Sequence, residues 1–122
     1  MKLFTYGTLK VGGYFSKMFD DIRGSVKKAT IKGTMYNIDN KFPGLILQGD
    51  TTIQGEVHEY PDGLLEDFDR IEGYLGPGAN NLYDRVQVDV ILEDGTVEQA
   101  ITYVFAQDPK WYNKIVSGEW KI

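Results

Sequence analysis

The sequence has no cysteine and a single histidine, His58. The first absence removes disulfides, thiol nucleophiles and thiolate metal sites, and the second removes multi-histidine metal centres and imidazole pairs. Positive charge is scarce, with 13 Lys and Arg against 18 Asp and Glu and a net charge of -5. A surface that grips a phosphate backbone has to be basic, so this balance argues against a nucleic-acid partner. No run approaches the roughly 20 apolar residues of a membrane span. The opening MKLFTYGTLKVGGYF reads as a strand and not as a signal peptide. Repeats, low-complexity tracts and linkers are also missing. The expectation is a soluble, cytoplasmic protein without a membrane partner.

What is present describes one domain over residues 1–122, with 42% hydrophobic and 25% charged residues, enough for a core of its own. Glycine is frequent, 14 of 122, which suits the bends of a small curved sheet or barrel. Alternation and short apolar runs predict strands over residues 2–6, 29–36, 45–47, 53–60, 83–92 and 96–105. Gly55 inside the fourth hints at a bulge. In the fifth, Val86, Val88, Val90 and Leu92 point inward. Glu93-Asp94-Gly95 then makes a hairpin turn to the sixth. Helical spacing predicts helices over residues 13–22 and 64–72, and a short one over 109–116 with Asp108 capping it and Pro109 at its first position. The class is α+β, built on a curved antiparallel or mixed sheet.

The second helix carries the informative residue. With Leu64 at the origin, Phe68, Ile71 and Leu75 fall within about 40° of it and form the apolar stripe. Glu66, Asp67, Asp69 and Arg70 fall on the opposite side. Glu72 falls near 80°, between Phe68 and Leu65, the one acid of this helix on the core side. A carboxylate in apolar surroundings has its pKa raised, which suits general acid–base work near neutral pH. The geometry also permits a helix frayed at Gly73, with Glu72 turned to water. Asp62 is the expected N-cap and Gly73 the expected stop.

The second signal is Phe4-Thr5-Tyr6-Gly7-Thr8-Leu9-Lys10. A glycine and a hydroxyl residue at the corner after a strand can aim successive backbone N–H groups at a carboxylate or an oxyanion, or can make a plain turn. Both the phosphate-loop ending and the dinucleotide glycine spacing are missing.

Together these segments resemble the γ-glutamylcyclotransferase-like superfamily, in its γ-glutamylamine cyclotransferase, avirulence-induced-gene-like branch. Tyr6-Gly7-Thr8-Leu9-Lys10 followed by Gly12 resembles its opening signature. Gly55-Glu56-Val57 resembles its next strand, and Phe68-Asp69-Arg70-Ile71-Glu72-Gly73-Tyr74 its helix end. Tyr83-Asp84-Arg85 and Ala100 to Val104 resemble its later strands. The resemblance implies a small mixed β-barrel with flanking short helices and a pocket at the barrel mouth. It implies a cofactor- and metal-independent enzyme that turns a small γ-glutamyl amide into 5-oxoproline and a free amine. By the same resemblance Glu72 is the general acid/base. Tyr6, Gly7, Thr8, Leu9 and Lys10 hold the substrate, and Tyr103 lines the site. The chain departs from the family pattern after Gly12, where Tyr14, Phe15 and Ser16 stand near the usual Asn or His.

Arg85 shares a strand face with Tyr83 and is expected to orient Glu72 or to meet a substrate carboxylate, the other reading being a surface pair. Lys10 is placed to meet a carboxylate by charge, or is a solvated lysine. His58 reads as a surface or half-buried strand residue. Residues 76–81 read as a flap or a plain connection. Trp111, Tyr112 and Trp120 suit core packing or self-association, but nothing in the sequence supports a homodimer. Two non-enzymatic readings stand beside the enzyme: a small-molecule-binding module on the same fold, and an interaction protein using its acidic surface.

Overall fold

A computed structural model of the chain describes residues 1–121. Its strands are β1 (Lys2–Thr5), β2 (Val26–Ile38), β3 (Phe42–Glu59), β4 (Tyr83–Leu92), β5 (Val97–Phe105) and β6 (Asn113–Lys114), and its helix is α1 (Leu65–Glu72). The order β3-β1-β5-β4-β2 closes through a further β2–β3 pairing into a five-stranded barrel, and β6 adds to β2. Only β1 and β5 run parallel; the other pairs are antiparallel. This is the small mixed β-barrel that the resemblance implied, and it carries the mixed sheet of the α+β reading with less helix than expected.

Side-chain alternation divides each strand between two cores. Phe4, Leu45, Ile53, Val57, Val90 and Ala100 form one, joined by Leu92, and Val88 packs against it. Leu3, Phe68, Tyr83, Tyr103 and Phe105 form the other, together with Leu9 and Phe19 of the loop after β1. The inward alternation of β4 therefore holds at residues 88, 90 and 92. Its hairpin to β5 turns at Gly95, at φ 86°.

The elements differ from the sequence reading in five places. First, residues 42–59 make one long strand, not two. Second, its irregularity lies opposite Gly33 and Thr34, not at Gly55. Gly55 is instead a contact glycine: a Cβ there would sit 2.5 Å from the Phe4 ring and 2.7 Å from the Thr5 carbonyl oxygen. Third, the expected helix over 13–22 shrinks to a single 3-10 turn, Ser16–Phe19. Of its apolar residues Phe19 is buried and Phe15 packs partly buried on the second core, while Met18 and Ile22 are exposed; a face that buries only half its apolar residues does not stabilise a longer helix. Fourth, the expected C-terminal helix is a turn leading into β6. Asp108 does cap it, accepting the Lys110 N–H at 3.0 Å, but Ile115 N–H then bonds to Met35 on β2. Fifth, Asp62 does not cap α1. It lies in a 3-10 turn, Asp62–Leu64, that precedes the helix, and no side chain caps either segment. The stop is as expected, with Gly73 left-handed at φ 68°. Among the described residues no helix is long and apolar enough to cross a membrane.

Candidate active site

A cavity of about 440 Å³ opens at the end of the barrel where β1 and β5 finish and β3 and β4 begin, flanked by the end of α1. Its walls are mostly apolar. Tyr6, Gly7, Thr8, Leu9, Glu72 and Tyr103 all line it, so six of the residues singled out in the sequence come together at one place.

The stripe Leu64–Phe68–Ile71 holds α1 against the second core, with Phe68 fully buried between Phe19 and Tyr60 at ring distances of 4.8 Å. That docking fixes the azimuth of the helix and turns Glu72 toward the cavity. The side chain is half-buried, its open part facing the cavity. Among the described residues no hydrogen bond or ion pair engages its carboxylate, and burial alone pushes it up to about 7. The alternative of a frayed end turned to bulk water does not occur.

The loop after β1 is held by bonds from Lys10 N–H to Gly7, Gly13 N–H to Lys10 and Phe15 N–H to Thr8. Among the described residues no hydrogen bond uses the N–H of Thr8 or Leu9, which gives the cavity wall two donors free of described partners. Gly7 is required by close approach: a Cβ there would lie 2.6 Å from Pro43 Cγ.

Three tyrosine hydroxyls around the cavity are committed elsewhere. Tyr6 donates to the Tyr103 carbonyl at 2.6 Å and accepts Leu45 N–H; Tyr83 donates to the Pro43 carbonyl at 2.6 Å. Tyr103 donates to Asp69 at 2.6 Å. Burial raises the pKa of all three. Among the described residues on the wall, Glu72 is the one whose carboxyl is pushed up to about 7, where it can exchange a proton near neutral pH. Among the described residues no group of three His, Asp or Glu is disposed to hold a metal ion.

Two expected site residues lie elsewhere. Arg85 neither touches Glu72 nor lines the cavity; it pairs with Asp69 at 2.5 Å and stacks over the Tyr74 ring at 5.0 Å. Lys10 turns away from the cavity and donates to the Trp120 carbonyl at 2.7 Å. Both are the outcome of better partners nearby: a carboxylate one helix turn before Glu72, and a carbonyl of the C-terminal segment.

Two further residues differ from their reading, and two segments settle between the alternatives left open for them. Asp69, expected in solvent, is half-buried and ties α1 to β4 and β5 through Arg85 and Tyr103. His58 is fully buried, flanked two residues away on either side by Glu56 at 2.8 Å and Tyr60 at 3.0 Å; the Glu-x-His-x-Tyr spacing on one strand face is the signal that could have placed it. Residues 76–81 are a fixed connection, because buried Asn81 bonds to Leu75, Gly76 and Asp84. Of the tail aromatics Tyr112 and Trp120 pack on the two cores, and Trp111 is exposed.

A family profile described as "Gamma-glutamyl cyclotransferase, AIG2-like" matches residues 3–122. The chain belongs to that family. It is similar to γ-L-glutamyl-butirosin B γ-glutamyl cyclotransferase of Niallia circulans, 34% identical over 98% of this chain and 74% of the relative. Among solved structures it resembles an AIG2-like protein from Mus musculus, with a TM-score of 0.76 and 21% identity over 98% of this chain and 87% of that one. It also resembles protein ytfP from Escherichia coli, with a TM-score of 0.71 and 23% identity over 98% and 96% of the two chains. These two likenesses establish the barrel. Membership of the family makes the chain an enzyme of the cyclotransferase type.

Proposed function

We propose that this cyclotransferase releases 5-oxoproline and a free amine from a small γ-glutamyl amide, with Glu72 as its general acid/base. The observation that carries the reading is a lone carboxylate, unpaired and held near neutral pKa by burial, on the wall of a cavity of substrate size.

The chemistry needs little else. The nucleophile, the α-amino nitrogen, is tethered to its target, so the walls have mainly to enforce the conformer that brings it against the γ-carbonyl carbon. Glu72 takes a proton from that nitrogen as the new carbon–nitrogen bond forms. The tetrahedral intermediate places negative charge on the former carbonyl oxygen, and the spare N–H groups of Thr8 and Leu9 are donors for it. Glu72 then returns the proton to the departing amine as the old amide bond breaks. No water is consumed, and the carboxylate ends as it began. Tyr6, Gly7 and Tyr103 shape the wall. Lys10 and Arg85 have no direct part in this scheme. The Niallia circulans relative is named for a γ-glutamyl amide of butirosin B, which supports γ-glutamyl amides as the substrate class here. A cytoplasmic location belongs to the same reading.

The test is to offer a panel of γ-glutamyl amines and dipeptides and measure 5-oxoproline by mass spectrometry. Wild-type enzyme releases it in equal amount to the amine. Glu72→Gln keeps the fold and loses about 10²–10⁴ in turnover. Full activity in that variant would remove Glu72 from the mechanism.

A further inference from the structure

A γ-glutamyl substrate brings at least one carboxylate into the cavity, and the enzyme as a whole is negative, with a net charge of -5. The site's own carboxylate adds to the repulsion once it is ionised. A cation is needed locally, and the two expected from the sequence are not at hand: Lys10 is spent on Trp120 and Arg85 on Asp69. Among the described residues that line the cavity there is one positively charged side chain, Lys41.

Its placement is a built feature of the β2–β3 hairpin. Asp39 and Asn40 are both left-handed, at φ 56° and 60°, and Lys41 N–H bonds back to the Ile38 carbonyl at 3.0 Å. This is a tight two-residue turn of the mirror-image type, whose residues are Asn and Asp by preference. Asn37 and Asn40 lock it with two side-chain bonds of 2.8 Å. Tyr83 holds the base of β3 by bonding to the Pro43 carbonyl. Lys41 is therefore presented at the rim from a rigid mount, exposed on one side and facing the cavity on the other. Among the described residues its ammonium makes no ion pair or side-chain hydrogen bond, unlike that of Lys2 or Lys32. A cation on a fixed hairpin and the acid of α1 thus line the same cavity without pairing with each other.

We infer that Lys41 receives a carboxylate of the γ-glutamyl substrate and is a binding residue of the site, an assignment that rests on the proposed cyclotransferase reaction. The carboxylate belongs either to the glutamyl half or to an amino acid on the leaving side, and the two sources are separable.

The experiment compares wild type, Lys41→Met and Lys41→Arg on a γ-glutamyl dipeptide and on a γ-glutamyl amine whose leaving half has no carboxylate. Lys41→Met raises KM about tenfold, the effect of removing a charge-assisted contact, with kcat nearly unchanged. Lys41→Arg restores most of the loss. Raising salt increases KM in wild type and much less in Lys41→Met. A KM rise with both substrates assigns the glutamyl carboxylate; a rise with the dipeptide alone assigns the leaving group. An unchanged KM for both substrates in an active Lys41→Met enzyme would overturn the assignment while leaving the reaction intact. Failure of the wild type to release 5-oxoproline from either would overturn the reaction and the assignment together.

Discussion

At the scale of the residue, the site turns on one unpaired acid. Most buried carboxylates find a cation or several N–H donors, and their pKa falls. Among the described residues Glu72 has neither, and its pKa rises to about 7. The folded protein therefore holds the proton more tightly than the unfolded chain, whose glutamate titrates near 4.5. With more protons bound in the folded state, stability declines as pH rises from about 4.5 to about 7, and is flat above. Replacing Glu72 by Gln removes the cost of ionising it. Glu72→Gln is expected to be more stable than wild type at pH 8, by at most about 2–3 kcal/mol after allowing for cavity solvation. The gain should vanish below about pH 4.5, where both forms are neutral. Urea unfolding at the two pH values measures it; equal stability at pH 8 would place the carboxylate in bulk water. The same absence of partners that destabilises the fold above neutral pH leaves the group ready to exchange a proton.

At the scale of the element, α1 has only the eight residues Leu65–Glu72 and would not hold its shape alone. Phe68 anchors it in the core, and Asp69 ties it to the barrel through Tyr103 and Arg85. Asp69→Ala leaves a partly buried hydroxyl and guanidinium without their acceptor, and is expected to cost about 1–3 kcal/mol. Because Glu72 is one helix turn away, a slight shift of α1 should also lower kcat about tenfold or more. Asp67→Ala is the control: its pairing with Arg70, at 3.6 Å, is exposed, and its loss should be worth less than about 0.5 kcal/mol with normal kcat. Thermal unfolding and steady-state kinetics on both variants separate the cases. The helix itself was legible, because an apolar stripe with three-to-four spacing and a following glycine have one reading in almost any fold. The loop at 13–22 was not, since apolar spacing says nothing of whether the face finds a partner. Arg85 and Lys10 were misplaced for a related reason. A sequence shows which residues are charged, while the partner nearest in space comes from how β4 packs on α1 and the loop after β1 on the tail. The Asp39-Asn40 pair is a hairpin signal in its own right, and weighing it would have paired the second expected strand with the start of β3 and brought Lys41 into view.

At the scale of the whole molecule, barrel closure creates the site. Residues 6–9, 72 and 103 are remote in sequence and meet because β1 pairs with both β3 and β5. The closing pairs are long-range and leave no local trace, so the sequence supported an α+β sheet, and only the likeness to a family indicated a closed barrel. Closure also makes the cavity wall rigid. Gly7 touches Pro43 and Gly44 meets Phe105, so neither position accepts a side chain without displacing a neighbour. The acidic net charge disfavours an anionic substrate at long range, and that is the setting in which a single lysine at the rim matters. This architecture keeps one carboxylate poised near neutral pH at the cavity wall. An NMR titration of side-chain carboxyl carbons, with Glu72→Gln identifying the resonance, tests it most directly. Glu72 is expected to titrate near 7; a midpoint at the ordinary glutamate value, about 4.3, would show the carboxylate to be solvated and unfit for the role.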